Sequence, residues 1–285
     1  MVGQQLSINS FNVGHSQPVG PYYFDPDSGV WFPAQKPSAY HATPYLYAVA
    51  EGNIEGHHSL FKFGARTIVT AGAPSTIWEG PTNLYAYLAS GQSLAVSSSS
   101  AADTASAGTG ARSVTLHGLD ASFNPYSETV DLNGTGVVYT TGLFRRQFRT
   151  YVNEVGATQV NMGAISVKDN SDTNTVSIIT AQEGQTLMAV WTVPSGHTFY
   201  ATDFSVSTSS NKGAEVSVYV KANTETYNPW RIAFRQYAFQ GSQAFNFNSP
   251  IAISEMYDIE VRVLTPGSAG NTSFGASFGG WYESN

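Results

Sequence analysis

The stretch Ser97–Gly134, SSSSAADTASAGTGARSVTLHGLDASFNPYSETVDLNG, decides the fold. Its Ser/Ala/Thr/Gly-rich opening leads into apolar positions that alternate at Val114 and Leu116, followed by turn residues Gly118, Asp120, Asn124 and Pro125. A second alternation follows at Val130 and Leu132. Period-2 alternation bounded by Gly, Asn, Asp and Pro marks half-buried antiparallel strands. The polar positions between them are Thr, Ser, Glu and Asp, so the stretch reads as strand, turn and strand building a surface, with no evident active site.

Outward from this hairpin the same texture continues. Strands are expected at Ser93–Ser97, Ser113–His117, Glu128–Leu132, Gly136–Thr140, Gln147–Glu154, Met162–Val167, Thr175–Thr180 and Met188–Val193. Further strands are expected at His197–Val206, Glu215–Val220, Trp230–Phe239, Ala244–Phe247, Ala252–Ser254, Asp258–Leu264 and Ser273–Phe278. Alternation is clearest at Val216, Val218 and Val220 and at Ile259, Val261 and Val263, while a slip of phase in Trp230–Phe239 predicts a bulge near Arg235 and Gln236. No long helix is visible, and Leu84–Ala89 and Ser254–Tyr257 have room for a turn each. So many short strands predict an all-β chain, an antiparallel β-sandwich or jelly roll. A chain of 285 residues accommodates one large or two ordinary domains. The expected division is an arm over 1–90, a sandwich over 91–183, and over 184–285 either a second sandwich or the second half of the same one.

The arm is expected because eight of the thirteen prolines fall within the first 81 residues, among rings that include Tyr22, Tyr23, Phe24, Trp31 and Phe32. Proline stiffens extended backbone and withholds ladder hydrogen bonds. An irregular segment has little means of burying so many large rings by itself, so part of the arm is expected to pack against a neighbouring subunit.

Composition narrows the function classes. Charged residues are 12% of the chain, against about 25% in ordinary globular proteins; such a neutral, polar surface suits chain-to-chain packing. Twenty acidic against thirteen basic residues give a formal charge of −7, which argues against nucleic acid or an anionic membrane as partner. The absence of cysteine removes disulfides, thiolate metal sites and cysteine nucleophiles. Met1–Ser10 lacks a basic start followed by an apolar stretch, so synthesis in a cytoplasm is expected.

The candidate sites each have a plainer account. Glu55, His57 and His58 are metal-ligand types, but adjacent histidines point to opposite faces of a strand. Asp169-Asn170-Ser171-Asp172-Thr173-Asn174 is rich in oxygen, yet it lacks the Gly and Glu positions of a calcium loop and reads as a hairpin turn. Gly108-Thr109-Gly110-Ala111-Arg112 neither follows a buried parallel strand nor opens a helix, so it fails as a phosphate loop. Trp191 lies in an apolar strand and is expected in the core. Arg145, Arg146 and Arg149 form the one basic cluster and are read as subunit contacts, as is Trp281, an exposed anchor after Gly279-Gly280. No catalytic residue, metal or cofactor is expected.

The chain also resembles a family of structural proteins of tailed bacteriophages from marine and freshwater sources. The likeness lies in Lys62-Phe63-Gly64, Trp78-Glu79-Gly80, the loop from Ala101-Ala102-Asp103-Thr104 to Gly108-Thr109-Gly110-Ala111-Arg112, Gly118-Leu119-Asp120 and Ser127-Glu128-Thr129-Val130. It continues through Gln185-Thr186-Leu187-Met188 and Trp191-Thr192-Val193-Pro194. The chain departs from the family at Ala65-Arg66-Thr67, where relatives carry an Asn-Pro-type turn. The resemblance implies a virion component made in the host cytoplasm. Its expected role is non-enzymatic, as a capsid decoration or cement protein. It would be a homo-oligomer such as a trimer, with the major capsid protein or other virion proteins as partners. The alternatives are a neck, tail or baseplate protein, or a receptor- or carbohydrate-binding module of a tail fibre.

Overall fold

The computed structural model describes residues 22–25, 30–33, 45–68, 72–209, 213–224, 228–265 and 272–285, with backbone alone at 22–25, 30–33 and 68. A hairpin, β1 (Tyr22–Asp25) and β2 (Val30–Pro33), precedes a short helix α1 (Tyr45–Ala50), β3 (His57–Ile68) and β4 (Ser75–Thr76). Next come β5 (Ala95–Ser98), β6 (Ala111–Asp120), β7 (Pro125–Asp131), β8 (Val138–Tyr139), β9 (Phe144–Val155), β10 (Ile165–Lys168) and β11 (Thr175–Ile179). The remaining strands are β12 (Val190–Thr192), β13 (His197–Thr208), β14 (Ala214–Ala222), β15 (Arg231–Ala238), β16 (Gly241–Ile253), β17 (Tyr257–Leu264) and β18 (Thr272–Ser284).

The hairpin predicted from the opening stretch is β6–β7, with Val114 opposite Val130. Its turn is held by the Asp120 carboxylate, whose Oδ1 accepts the N–H groups of Ser122 at 2.8 Å and Asn124 at 2.9 Å. Strand β9 flanks the other side of β6 to give the sheet β7-β6-β9, and a second sheet runs β11-β10-β5-β8. Between them lies one core, with Val114, Leu116 and Phe144 from the first sheet and Val96, Ile165, Val167, Val176 and Ile179 from the second. The loop before β6 wraps a fully buried carboxylate. Asp103 accepts from Ser98 Oγ and from the N–H groups of Ala111, Met162 and Gly163, all within 2.8 Å. A Cβ at Gly110 would sit 2.1 Å from Asp103 Oδ1, so the glycine there is a packing requirement.

The second sandwich has its own core. One sheet runs β12-β17-β14-β15 with β4 also on β17, and the other runs β16-β13-β18-β3. Val216, Ile259, Val261 and Val263 face Phe199, Phe204, Phe274 and Phe278 across the interior, beside Trp191. The cores share no residue, so the chain forms two antiparallel sandwiches, which divide between Ile179 and Val190.

Three expectations need correction. The stretch 1–90 is not all arm, because β3 pairs with β18 over its whole length and β4 pairs with β17. Ala244–Phe247 and Ala252–Ser254 belong to one strand, β16. The bulge on β15 falls at Ala233 rather than Arg235 and Gln236, since Val218 faces Phe234 and Tyr219 faces Ile232. The only helix among the described residues is α1, while 84–89 is irregular. No helix there is long and apolar enough to cross a membrane.

Candidate functional site

The three arginines predicted to act together are separated by the fold. On β9, Phe148 is an extra residue against β6, because His117 faces Arg149 and Gly118 faces Gln147. The extra residue keeps Arg146 and Arg149, three apart in sequence, on one face of the sheet, opposite Leu119 and His117, yet they end in different surroundings. Arg146 is 3% exposed, and its Nε and Nη2 donate to the two Asp258 oxygens at 2.7 and 2.9 Å. Further donations go to Leu88 O at 3.0 Å and Asn223 Oδ1 at 2.9 Å, while Thr192 Oγ1 adds a 2.7 Å bond to Asp258. Burial pulls the Arg146 guanidinium down, but the charge and hydrogen bonds of Asp258 outweigh it and the net shift is upward. Arg146 is therefore a bolt between β9 of one sandwich and β17 of the other, and is not free to meet a neighbouring subunit.

The polar face of β17 explains the bolt. Asp258, Glu260 and Arg262 alternate with core residues Ile259, Val261 and Val263, and this face is also covered. Glu260 is fully buried and accepts from Arg262 Nε at 2.9 Å, from Tyr87 OH at 3.2 Å and from Thr76 Oγ1. Tyr85 OH reaches Gln147 O at 2.7 Å. Burial, foremost, raises the pKa of both tyrosines, so they remain neutral donors.

Arg149 opens instead onto a cleft of about 640 Å³ between the sandwiches. The cleft is walled by β3 on one side and the β6–β7–β9 sheet on the other, and rings of Phe61, Tyr126, Phe148 and Tyr282 line it. Three basic residues line it: Lys62, His117 and Arg149. Lys62 Nζ donates to Phe148 O at 2.6 Å. His117 stacks on Tyr151 with centroids 5.5 Å apart, and the Arg149 guanidinium lies 5.3 Å from the same ring. Burial, reinforced by Arg149, pushes the Lys62 ammonium down to about 7. Burial, then Arg149 and Lys62, lower the His117 imidazole. Among the described residues no carboxylate lines the cleft, and none of the three basic groups has an ion-pair partner.

The far flank of the C-terminal sandwich is open. Among the described residues, β15 pairs only with β14 and β16 only with β13, and the two edge strands adjoin through residues 239–240. Ile232, Tyr237 and Phe239 are exposed along this flank, at 44%, 66% and 59%. From Arg231 to Ile253 the only charged residues are Arg231 and Arg235, and Arg235 is paired with Glu215 at 2.9 Å. Sequence reasoning assigned Trp230–Phe239 as a strand but had no means of seeing that it would be an edge.

The other predicted contacts are placed as follows. The β1–β2 ladder sets Tyr23 opposite Phe32 and Phe24 opposite Trp31. The side chains of Tyr22, Tyr23, Phe24, Trp31 and Phe32, and with them the expected packing of the arm on a neighbour, lie outside the described residues. Arg145 is half-buried with its guanidinium 5.8 Å from the Phe123 ring. Trp281 is half-buried rather than a free anchor: it stacks on Tyr200 at 5.1 Å and meets Tyr45 edge-on. His57 pairs with Glu283 at 2.8 Å while His58 stacks on Tyr282, so the two point apart. Asp169 accepts from Ser171 Oγ, from the N–H groups of Thr173 and Asn174 and from Asn174 Nδ2, which commits its oxygens to the turn. In comparisons with known proteins, the chain matches no family model and no curated protein.

Proposed function

We propose that the chain is a non-enzymatic structural component of a tailed-phage virion, a capsid decoration or cement protein made in the host cytoplasm and carried on the particle. One observation carries the association half of this reading: the edge strands β15 and β16, nearly uncharged, bearing exposed Ile232 and Tyr237, and each without a neighbour on its outer edge among the described residues. Unpaired edges with exposed apolar side chains are templates for another chain, and stable monomers blunt them with charge. A closed symmetric assembly such as a trimer protects an edge on every copy. The resemblance to phage structural proteins supports the particle, with the major capsid protein as the larger partner; a neck, tail or baseplate position uses the same edge. Light scattering on the whole chain and on Ile232→Lys/Tyr237→Lys tests it. A defined oligomer that becomes monomer in the variant is expected, and a wild-type chain that stays monomeric at high concentration sinks self-association through this flank.

A second reading, a receptor- or carbohydrate-binding module of a tail fibre, is favoured by the cleft, where aromatic rings stand beside hydrogen-bonding groups of Ser59, Ser127 and Gln185.

A further inference from the structure

The geometry points to the cleft between the sandwiches as a binding site for an acidic saccharide unit, a pyranose carrying a carboxylate, held by Lys62, His117 and Arg149. This deepens the carbohydrate-binding reading and is independent of assembly through the open flank. Three observations meet here. First, three basic groups converge on one cleft in a protein whose formal charge is −7. His117 and Arg149 are direct cross-strand neighbours, and Lys62 is anchored by the carbonyl next to Arg149 in sequence. Their closeness disfavours protonation of Lys62 and His117 in the empty cleft, and an anion placed among the three groups favours it. Among the described residues, none supplies a carboxylate to the cleft.

Second, the rest of the lining is unlike a simple ion site. Phe61, Phe148, Tyr126 and Tyr282 offer ring surface, and the side chains of Ser59 and Gln185 offer donors and acceptors suited to hydroxyls. Arg149 reaches Gln185 Oε1 at only 3.4 Å, a long bond that leaves guanidinium N–H groups for a carboxylate fork. Third, about 640 Å³ is within the usual range for small organic ligands and far more than one inorganic ion needs. The overall negative charge of the chain disfavours a densely charged polyanion, so the ligand carries its charge on one group per unit.

The test is titration of the ¹⁵N-labelled whole chain with glucuronic acid, with glucose and with acetate, following backbone amide shifts. Arg149→Gln is the first variant, because its side chain is exposed and the fold does not depend on it; Lys62→Met, checked for folding by its thermal melt, is the second. The expected result is that glucuronate shifts amides of β3, β6 and β9, that glucose and acetate bind at least roughly tenfold more weakly, and that each folded variant loses roughly tenfold or more. Equal binding of glucose overturns the acidic-ligand assignment and leaves the carbohydrate reading standing. Equal binding of acetate overturns the saccharide assignment. No shift with any of the three, nor with an oligouronide, overturns both. An oligouronide that binds where the monosaccharide does not places the site on a polymer segment and supports the proposal, since the unit recognised is the same.

Discussion

The two sandwiches meet at two junctions built from one strand, and the junctions are opposites. At the Arg146 end of β9 a buried cation meets a buried anion, with Asn223, Leu88 O and Thr192 filling the remaining hydrogen-bond positions. At the Arg149 end, basic groups face a cleft to which no described residue brings a carboxylate. A buried ion pair whose every donor is satisfied contributes little net stability compared with apolar packing, but it makes any single deletion expensive. A set of basic groups without a counterion is the reverse: removing one costs little. The lesson is that position along a strand says less about an arginine's role than whether the chain supplies its counterion.

Substitutions that break or sharpen this contrast follow in order of size. Arg146→Ala leaves Asp258 buried and unpaired and is expected to cost about 3–5 kcal/mol of unfolding free energy. Urea denaturation reads this directly. The double variant Arg146→Met/Asp258→Leu should recover most of the loss, and a double variant as unstable as the single would show that the charge pair is not what matters. Lys62→Met is expected to change stability at pH 7 by less than about 1 kcal/mol, the lost bond to Phe148 O being offset by removal of a desolvated ammonium. Its pH dependence sharpens the point. Burial holds Lys62 at about 7 against an ordinary 10.5, so between those values the unfolded chain binds a proton that the folded chain lacks. Stability therefore rises with pH through this window and is independent of this group below it. Comparing urea midpoints at pH 7 and 9 should show an increment in the wild type that Lys62→Met abolishes. Smallest of all, Arg149→Gln should leave the unfolding free energy within about 0.5 kcal/mol, so that any binding defect it shows is local.

How much of this was legible in the sequence differs by element. Strands whose apolar residues point inward announced themselves, as Ile259, Val261 and Val263 did on β17. The other face of β17 did not, because Asp258 and Glu260 look like solvent-facing residues until the segment around Tyr85 and Tyr87 covers them. Strand β3 is inverted: Phe61 and Phe63 are exposed, while Lys62 and Gly64 are buried. Period-2 reading expects the opposite, so a full-length strand passed for an arm. Gly64 shows why the inversion is required, since a Cβ there would lie 2.3 Å from Ala189 N and 2.5 Å from Ile77 O. That Arg146 and Arg149, three residues apart, share one face of the sheet depends on the extra residue at Phe148, which no local pattern marks.

The ladder between β3 and β18 also sets an order of events. Thr67 and Ser273 share a hydrogen bond across 206 positions, and the whole N-terminal sandwich lies between them. Loop closure becomes costlier only logarithmically, so joining these strands in an otherwise unfolded chain costs roughly 2–3 kcal/mol more than closing a ten-residue hairpin. Once β5 to β11 have condensed on their own core, the intervening chain is a compact body rather than a long coil, and that excess entropy has already been spent. A folded N-terminal sandwich would thus act as a clamp that brings distant ends within reach, and completion of the C-terminal sandwich is expected to follow it.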